Sequence, residues 1–483
     1  MSDSNSLRDK VLTGLKWSVL AKVLMQLLSW ASTFFVIRML APNDYGIIAL
    51  STIIFTFINT VTVSGFCSTL IKRQATSRQE KSQVFTISLS LNIFFSFWVF
   101  VFAGDIARYF DSEELEQVLY VMALVTPFTC LVIVPSASLS IAMNFKRKAF
   151  CDGASQLVST VIAVVSAYMG MAFWALVFSK IGALFSSIVF LHMASKSSYS
   201  LTRSFKDARD VISYTMNLQL NAMIWFLYNR FDSVLVGKTL GVGTLGIYNV
   251  AVEVASIPMA KVSSIINQVG FSAFSSLKED PSSTRYYLRR SLRLMALIIF
   301  PVFWGISVCS YELVAILLGE KWLDSAPLIA IFCLVFPLRM LNSVIQNYVN
   351  SMNLPSFNVI NTTVIAVVLL SSILVGLQYG LLATAFAWVI GFSFAFAIVL
   401  IRVARRFKLD FRTLGGSWLV PLIPAMLMWV VVYCVSITFI PASASLFLVL
   451  AVKIILGVGI IAIIYFLAFF DEVLLLLNRK SRA

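Results

Sequence analysis

Apolar runs of about 20 residues recur along the whole chain, and no other feature constrains its fold as tightly. A run of that length crosses the ~30 Å hydrocarbon core of a bilayer as an α-helix, the form that satisfies its own backbone hydrogen bonds where water is absent. Charged residues make up 12% of the 483 positions, about half the ~25% of a soluble domain. That is too little charge to cover a soluble surface of this size. Apolar runs bounded by polar breaks predict about fourteen spans: 13–39, 45–71, 84–104, 117–143, 149–169, 174–194, 213–239, 246–270, 294–318, 327–352, 356–377, 381–403, 416–438 and 445–470. The polar start, Met1 to Lys10, runs into the first of these without a small-residue cleavage site, so a retained span is expected rather than a cleaved signal peptide.

The formal charge of +15 is distributed in a way that speaks against nucleic acid. Alternate loops separate by sign. One set, from Arg8 and Lys10 through the clusters at 72–81, 146–148, 196–209, 278–293 and 402–412 to the tail at 479–482, carries 26 basic residues. The other carries Arg38, Arg108, Lys238 and Lys321 only. By the positive-inside rule this bias predicts an even number of spans with both termini cytoplasmic. The Asp105 to Glu116 loop then lies outside. There is no zinc spacing and no basic–aromatic RNA motif. The six cysteines are scattered without CxxC and read as structural.

The chain also repeats itself. Val36, Arg38, Leu40 and Gly46 match Val236, Lys238, Leu240 and Gly246. Pro127 matches Pro337, Met143-Asn144 matches Met352-Asn353, TVIAVV occurs at 160–165 and 363–368, and Gly170 matches Gly380. Each copy holds six spans, an even number, so the copies are parallel, related by an axis along the membrane normal. The expected architecture is an all-α membrane protein of two pseudo-symmetric six-helix lobes around a central cavity: residues 1–200 and 201–412, with two additional helices and a tail at 413–483. Two facing lobes are a physical basis for alternating access.

Several spans carry polar stripes at helical spacing. The first has Ser18, Lys22, Gln26, Ser29 and Thr33; the seventh Asn217, Asn221, Trp225, Tyr228 and Asp232; the eighth Asn249, Glu253, Ser256, Ser263 and Asn267; the tenth Arg339, Asn342, Gln346, Asn350 and Asn353. Single Ser or Asn residues fit helix–helix packing. Stripes that include charges point instead to a hydrated cavity, because a midplane charge costs about 2.5–3.5 kcal/mol on insertion scales. Lys16, Lys22, Lys180, Arg230, Lys261, Arg339 and Lys453 lie in predicted spans against Asp232, Glu253 and Glu312. A net-positive interior suits a phosphate or pyrophosphate, and aromatic faces beside amides suit sugar rings. The expected substrate-binding set is Lys22, Gln26, Asn217, Asn221, Trp225, Tyr228, Arg230, Lys261, Arg339, Asn342 and Gln346. Asp232 and Glu253 are the expected ion-coupling acids, for H⁺ or Na⁺, with pairing to Arg230, Lys261 or Arg339 as the alternative. No cofactor or metal site is expected. Catalysis is not supported either: His192 is the one histidine and reads as structural, and no paired carboxylates, nucleophile elbow or phosphate loop occur.

Taken in order along the spans, GLKWS from Gly14, RMLAPNDYG at 38–46, DSVLVGKTLGVGTLGIY at 232–248, Pro258 and YELVAILLGEKWLDSAP at 311–327 resemble the polysaccharide transporter branch of the multidrug/oligosaccharidyl-lipid/polysaccharide exporter superfamily, the Wzx-type flippases. The resemblance covers nearly the whole chain. It implies two lobes of six helices with two added C-terminal helices in a bacterial inner membrane. It further implies export of an undecaprenyl-pyrophosphate-linked oligosaccharide, an O-antigen, capsule or exopolysaccharide unit, to the periplasmic leaflet. The implied partners are the lipid-linked oligosaccharide, membrane lipids, a polysaccharide polymerase and a chain-length regulator. Two other readings stand beside it. A multidrug cation antiporter of the same superfamily usually wants buried acids in the first lobe, and the first six spans contain no central one. A membrane enzyme of polysaccharide assembly wants a sizeable periplasmic loop, and none is present.

Overall fold

The computed structural model describes residues 30–74, 77–203, 229–276, 281–439 and 444–468, with isolated positions at 212, 215, 223, 226 and 441. Fifteen helical stretches are described: α1 (30–39), α2 (Pro42–Lys72), α3 (Arg78–Tyr109), α4 (Glu113–Ile141), α5 (Phe145–Tyr168), α6 (Trp174–Ser195), α7 (229–240), α8 (Val242–Ser276), α9 (Pro281–Val308), α10 (Ser310–Leu317), α11 (Ala326–Ser351), α12 (Pro355–Leu377), α13 (Leu381–Phe407), α14 (Phe411–Thr438) and α15 (Leu446–Ala468). Twelve of them are long and apolar enough to cross a bilayer, and each falls on one of the expected spans. The other two, 13–39 and 213–239, lie largely outside the described residues. The expected span 294–318 differs in its bounds: α9 starts at Pro281 and stops at Val308, and the short α10 follows. The basic residues Arg285 to Arg293, read from sequence as loop, prolong α9 beyond the apolar run.

The backbone carries the repeat in its helix ends. Left-handed residues terminate helices at Asp111, Met143, Gly170 and Lys196, and again at Gly319, Asn353, Gly380 and Lys408. These pairs are 208, 210, 210 and 212 residues apart. Sequence matching aligns Met143-Asn144 with Met352-Asn353. The backbone shifts that register by one, because the residue in the left-handed conformation is Met143 in the first copy and Asn353 in the second. Asn and Gly adopt that conformation at low cost, so the second copy has the more favourable residue for the turn.

The chain divides into two compact units. The first comprises residues 1–44, 58–104 and 114–216; the second 45–57, 105–113 and 217–483. In the first, Phe66, Leu70, Val84, Phe85, Cys130, Ile133 and Val134 form a core between α2, α3 and α4. Thr60–Ser64 make a π turn inside α2. Such a bulge frees backbone groups, and here Ser88 Oγ donates to the Thr62 carbonyl while Thr62 Oγ1 donates to Asn92 Oδ1 at 3.0 Å. After α6 the chain lies along α3: the Ser200 and Thr202 amides donate to Ser82 Oγ and Thr86 Oγ1, both at 3.1 Å. His192 bridges the Ile188 carbonyl at 2.8 Å and the Tyr199 hydroxyl at 2.7 Å. Its carbonyl partner requires a proton on Nδ1, so in the neutral ring Nε2 accepts from Tyr199.

In the second unit the aromatic core includes Trp322, Tyr348, Phe300, Phe303, Phe332, Phe336 and Phe392. Gly46 is required there by close approach: a Cβ on it would stand 1.9 Å from the Val242 carbonyl oxygen at the start of α8. The last described helix, α15, buries only Lys453 and Gly457. Lys453 Nζ donates to Glu312 Oε1 at 2.7 Å and to the Val308 carbonyl at 3.0 Å. Two charges that the sequence counts separately toward a cavity therefore neutralise each other between α10 and α15.

Candidate functional site

The second unit buries a polar relay that begins on α7. Asp232 is 3% exposed, too buried to stay charged without partners. Its Oδ1 accepts from the Ser233 amide at 2.7 Å, and its Oδ2 accepts from the Tyr248 hydroxyl at 2.7 Å. Tyr248, on α8, in turn accepts from the Trp388 indole N–H of α13 at 2.8 Å. The relay has a fixed polarity. Trp can only donate, a carboxylate can only accept, and the tyrosine between them does both.

Arg339 of α11 closes the cluster. Its guanidinium lies 4.9 Å from the Trp388 ring centroid and 5.1 Å from that of Phe336, and its Nη2 donates to Asn229 Oδ1 at 2.6 Å. Stacking on two rings suits the weakly hydrated, planar guanidinium better than a lysine ammonium. The positive charges of Arg339 and Arg230 both act on Asp232. Arg230 and Asp232 are two residues apart on one helix, too far around it for side-by-side pairing. The carboxylate meets Tyr248 instead.

Of the sequence-derived residues, the structure thus brings together Asp232, Arg339 and Arg230. Asn342 follows Arg339 by one turn and is 6% exposed, with an Oδ1 that has no hydrogen-bond partner among the described residues. Gln346, one turn further, is half-buried. The lower part of that stripe is structural: Asn350 accepts from Asn358 Nδ2 at 3.1 Å, and Asn353 forms the left-handed turn. Glu253 is exposed on α8, and its own carbonyl accepts from Ser256. Lys22, Gln26, Asn217, Asn221, Trp225 and Tyr228 lie outside the described residues, as does the side chain of Lys261. Sequence reasoning missed Tyr248, Trp388 and Asn229. Tyr248 stood in a recognised motif and Asn229 beside a charged residue. Trp388 sits in an apolar run with nothing polar to mark it.

Fold and site together define a polytopic, largely helical membrane protein with a charged network held inside its helices. The chain belongs to the polysaccharide biosynthesis protein family, whose pattern matches residues 35–327. Among its relatives are the lipopolysaccharide biosynthesis protein WzxC of Escherichia coli (strain K12), 25% identical over 345 residues, covering 69% of this chain and 68% of that protein, and the succinoglycan biosynthesis transport protein ExoT of Rhizobium meliloti (strain 1021), 23% identical over 318 residues, covering 66% and 64%. Among solved structures, the lipid II flippase MurJ in an inward closed conformation superposes with a TM-score of 0.74 at 14% identity, covering 93% of this chain and all of that one. An inward-facing multidrug resistance MATE family transporter of the MOP superfamily superposes at 0.59, with 13% identity and 80% and 94% coverage. These likenesses establish the fold.

Proposed function

We propose that this protein is a flippase that moves an undecaprenyl-pyrophosphate-linked oligosaccharide from the cytoplasmic to the periplasmic leaflet of a bacterial inner membrane by alternating access, with both termini cytoplasmic. The observation that carries this reading is membership of the polysaccharide biosynthesis family together with a fold shared over 93% of the chain with a lipid II flippase. The 26 basic residues on one set of loops support the orientation. Lys22 and Arg339, from different halves of the chain, are the proposed anion contacts. Binding from both halves lets the cargo bias the conformational equilibrium, since only differential binding shifts a population.

Asp232 is the proposed coupling acid. The relay as built suits its charged form. A proton arriving on Oδ2 would have to donate toward Tyr248, whose own hydroxyl hydrogen would then lose its acceptor. Protonation therefore disturbs contacts joining α7, α8 and α13, which is what a coupling site must do. A bound Na⁺ would act on the same carboxylate oxygens.

Complementation of a flippase-deficient strain tests the assignment, read as surface polysaccharide beside protein level in the membrane. Arg339→Ala and Lys22→Ala abolish export at normal protein level, whereas Arg339→Lys and Lys22→Arg retain part of it. Normal polysaccharide from the double alanine variant rules out the anion site. Gradient-driven transport that survives Asp232→Asn unchanged rules out the coupling role.

A further inference from the structure

A pocket of about 250 Å³ opens where three membrane helices end together, away from the buried relay. Thr284 and Arg285 contribute from the first turn of α9, Tyr348 from the last turn of α11, and Arg406, Phe407 and Lys408 from the end of α13. Tyr348 is 1% exposed and meets the Phe407 ring edge-on at 5.0 Å, so part of the lining is aromatic and packed. Among the described residues, the lining holds three cations and no acid. Local backbone geometry places one of them: Lys408 ends α13 in the left-handed conformation (φ 51°), its amide donating to the Ala404 carbonyl. That turn redirects the chain so that Arg406, Phe407 and Lys408 all line the pocket.

We infer that this pocket binds the phosphate of an anionic glycerophospholipid at the cytoplasmic leaflet. Three observations converge on that ligand. First, a cluster of cations without acids selects a phosphate, and basic pockets between membrane helices on the cytoplasmic side suit acidic headgroups. Second, the pocket stands at headgroup level. The apolar parts of α9, α11 and α13 end there, on the side the charge bias assigns to the cytoplasm. The exposed aromatics Tyr286, Tyr287 and Phe411 flank it as interfacial rings do. Third, its volume is below the roughly 300–1,000 Å³ of sites for drug-sized ligands. It admits a headgroup phosphate but not a glycan. A lipid wedged between three helix ends would hold them at a fixed spacing, so occupancy would set how freely this end of the unit rearranges.

Full-length protein, delipidated in neutral detergent, is titrated with phosphatidylglycerol and followed by native mass spectrometry. Phosphatidylcholine and inorganic phosphate are titrated in parallel. Phosphatidylglycerol should bind at least ten-fold more tightly than phosphatidylcholine. Each of R285Q, R406Q and K408Q should weaken it about five-fold, and the triple variant on the order of a hundred-fold. R405Q, an exposed cation on the same helix that does not line the pocket, should leave binding unchanged, and R406K should keep it within about two-fold of the original protein. Equal binding of phosphatidylcholine, an R405Q loss as large as that of R406Q, or loss in R406K would each overturn the inference. Full displacement of phosphatidylglycerol by millimolar inorganic phosphate would overturn the lipid as the source of the phosphate.

Discussion

The Lys453–Glu312 pair gives the sharpest stability test. Lys453 is 9% exposed on α15, and Glu312 is 6% exposed on α10. Removing the lysine deletes bonds of 2.7 and 3.0 Å and leaves a carboxylate whose Oε2 already lacks a hydrogen-bond partner among the described residues. Breaking a buried pair from one side costs about 3–5 kcal/mol, whereas replacing both partners with apolar residues of similar volume is often neutral or stabilising. Lys453→Met should therefore destabilise by about 3–5 kcal/mol. Glu312→Leu should do the same, with the ammonium as the stranded charge. The double variant Lys453→Met/Glu312→Leu should recover most of the loss. The remainder is the Val308 carbonyl, which loses one donor. Because α15 buries little else, release of this helix should accompany the single variants, detectable as faster proteolysis between 439 and 446. Thermal melting in detergent, followed by tryptophan fluorescence, measures the cycle. Additive losses in the double variant, or no loss in either single one, would refute the reasoning.

Gly46→Ala should destabilise by at least about 1–3 kcal/mol, since its Cβ would enter the space of the Val242 carbonyl. Gly416→Ala, which meets nothing within 4 Å in α14, should be neutral or stabilising in the same melting assay. Tyr248→Phe removes the acceptor that the Trp388 N–H meets and a donor from Asp232, for a loss of about 1–3 kcal/mol, and adding Trp388→Phe should cost less than it does alone. Asp410 caps α14: the Thr413 hydroxyl and the Arg412 and Thr413 amides donate to its carboxylate and hold it below the usual carboxylate range. Its contribution is thus complete above the ordinary aspartate value of about 3.9 and fades as pH falls through the depressed one. Asp410→Ala should lower the melting temperature at neutral pH, and the difference from the parent protein should shrink with acidification below that value.

The class of this protein was legible in its sequence because membrane insertion is a local constraint. Each span must be apolar over its own length, so the spans are written residue by residue. The repeat was legible for the same reason, since Gly170/Gly380 mark helix ends, and Pro127/Pro337 positions inside helices, that recur in both copies. Its one-residue register error at Met143 and Asn353 came from matching letters where the backbone matches conformations. Helical spacing also singled out Asp232, Arg230 and Arg339 as charges that need company. What spacing could not supply was the company. Glu312 and Lys453 are 141 residues apart, Trp388 and Tyr248 140, and Arg339 and Asn229 110. Whether a buried charge faces a partner on a distant helix or an open cavity depends on how the helices pack, and identical stripes serve both. Tertiary structure alone turned two counted charges into a neutral clamp, and it alone joined an unmarked tryptophan to an acid through a tyrosine.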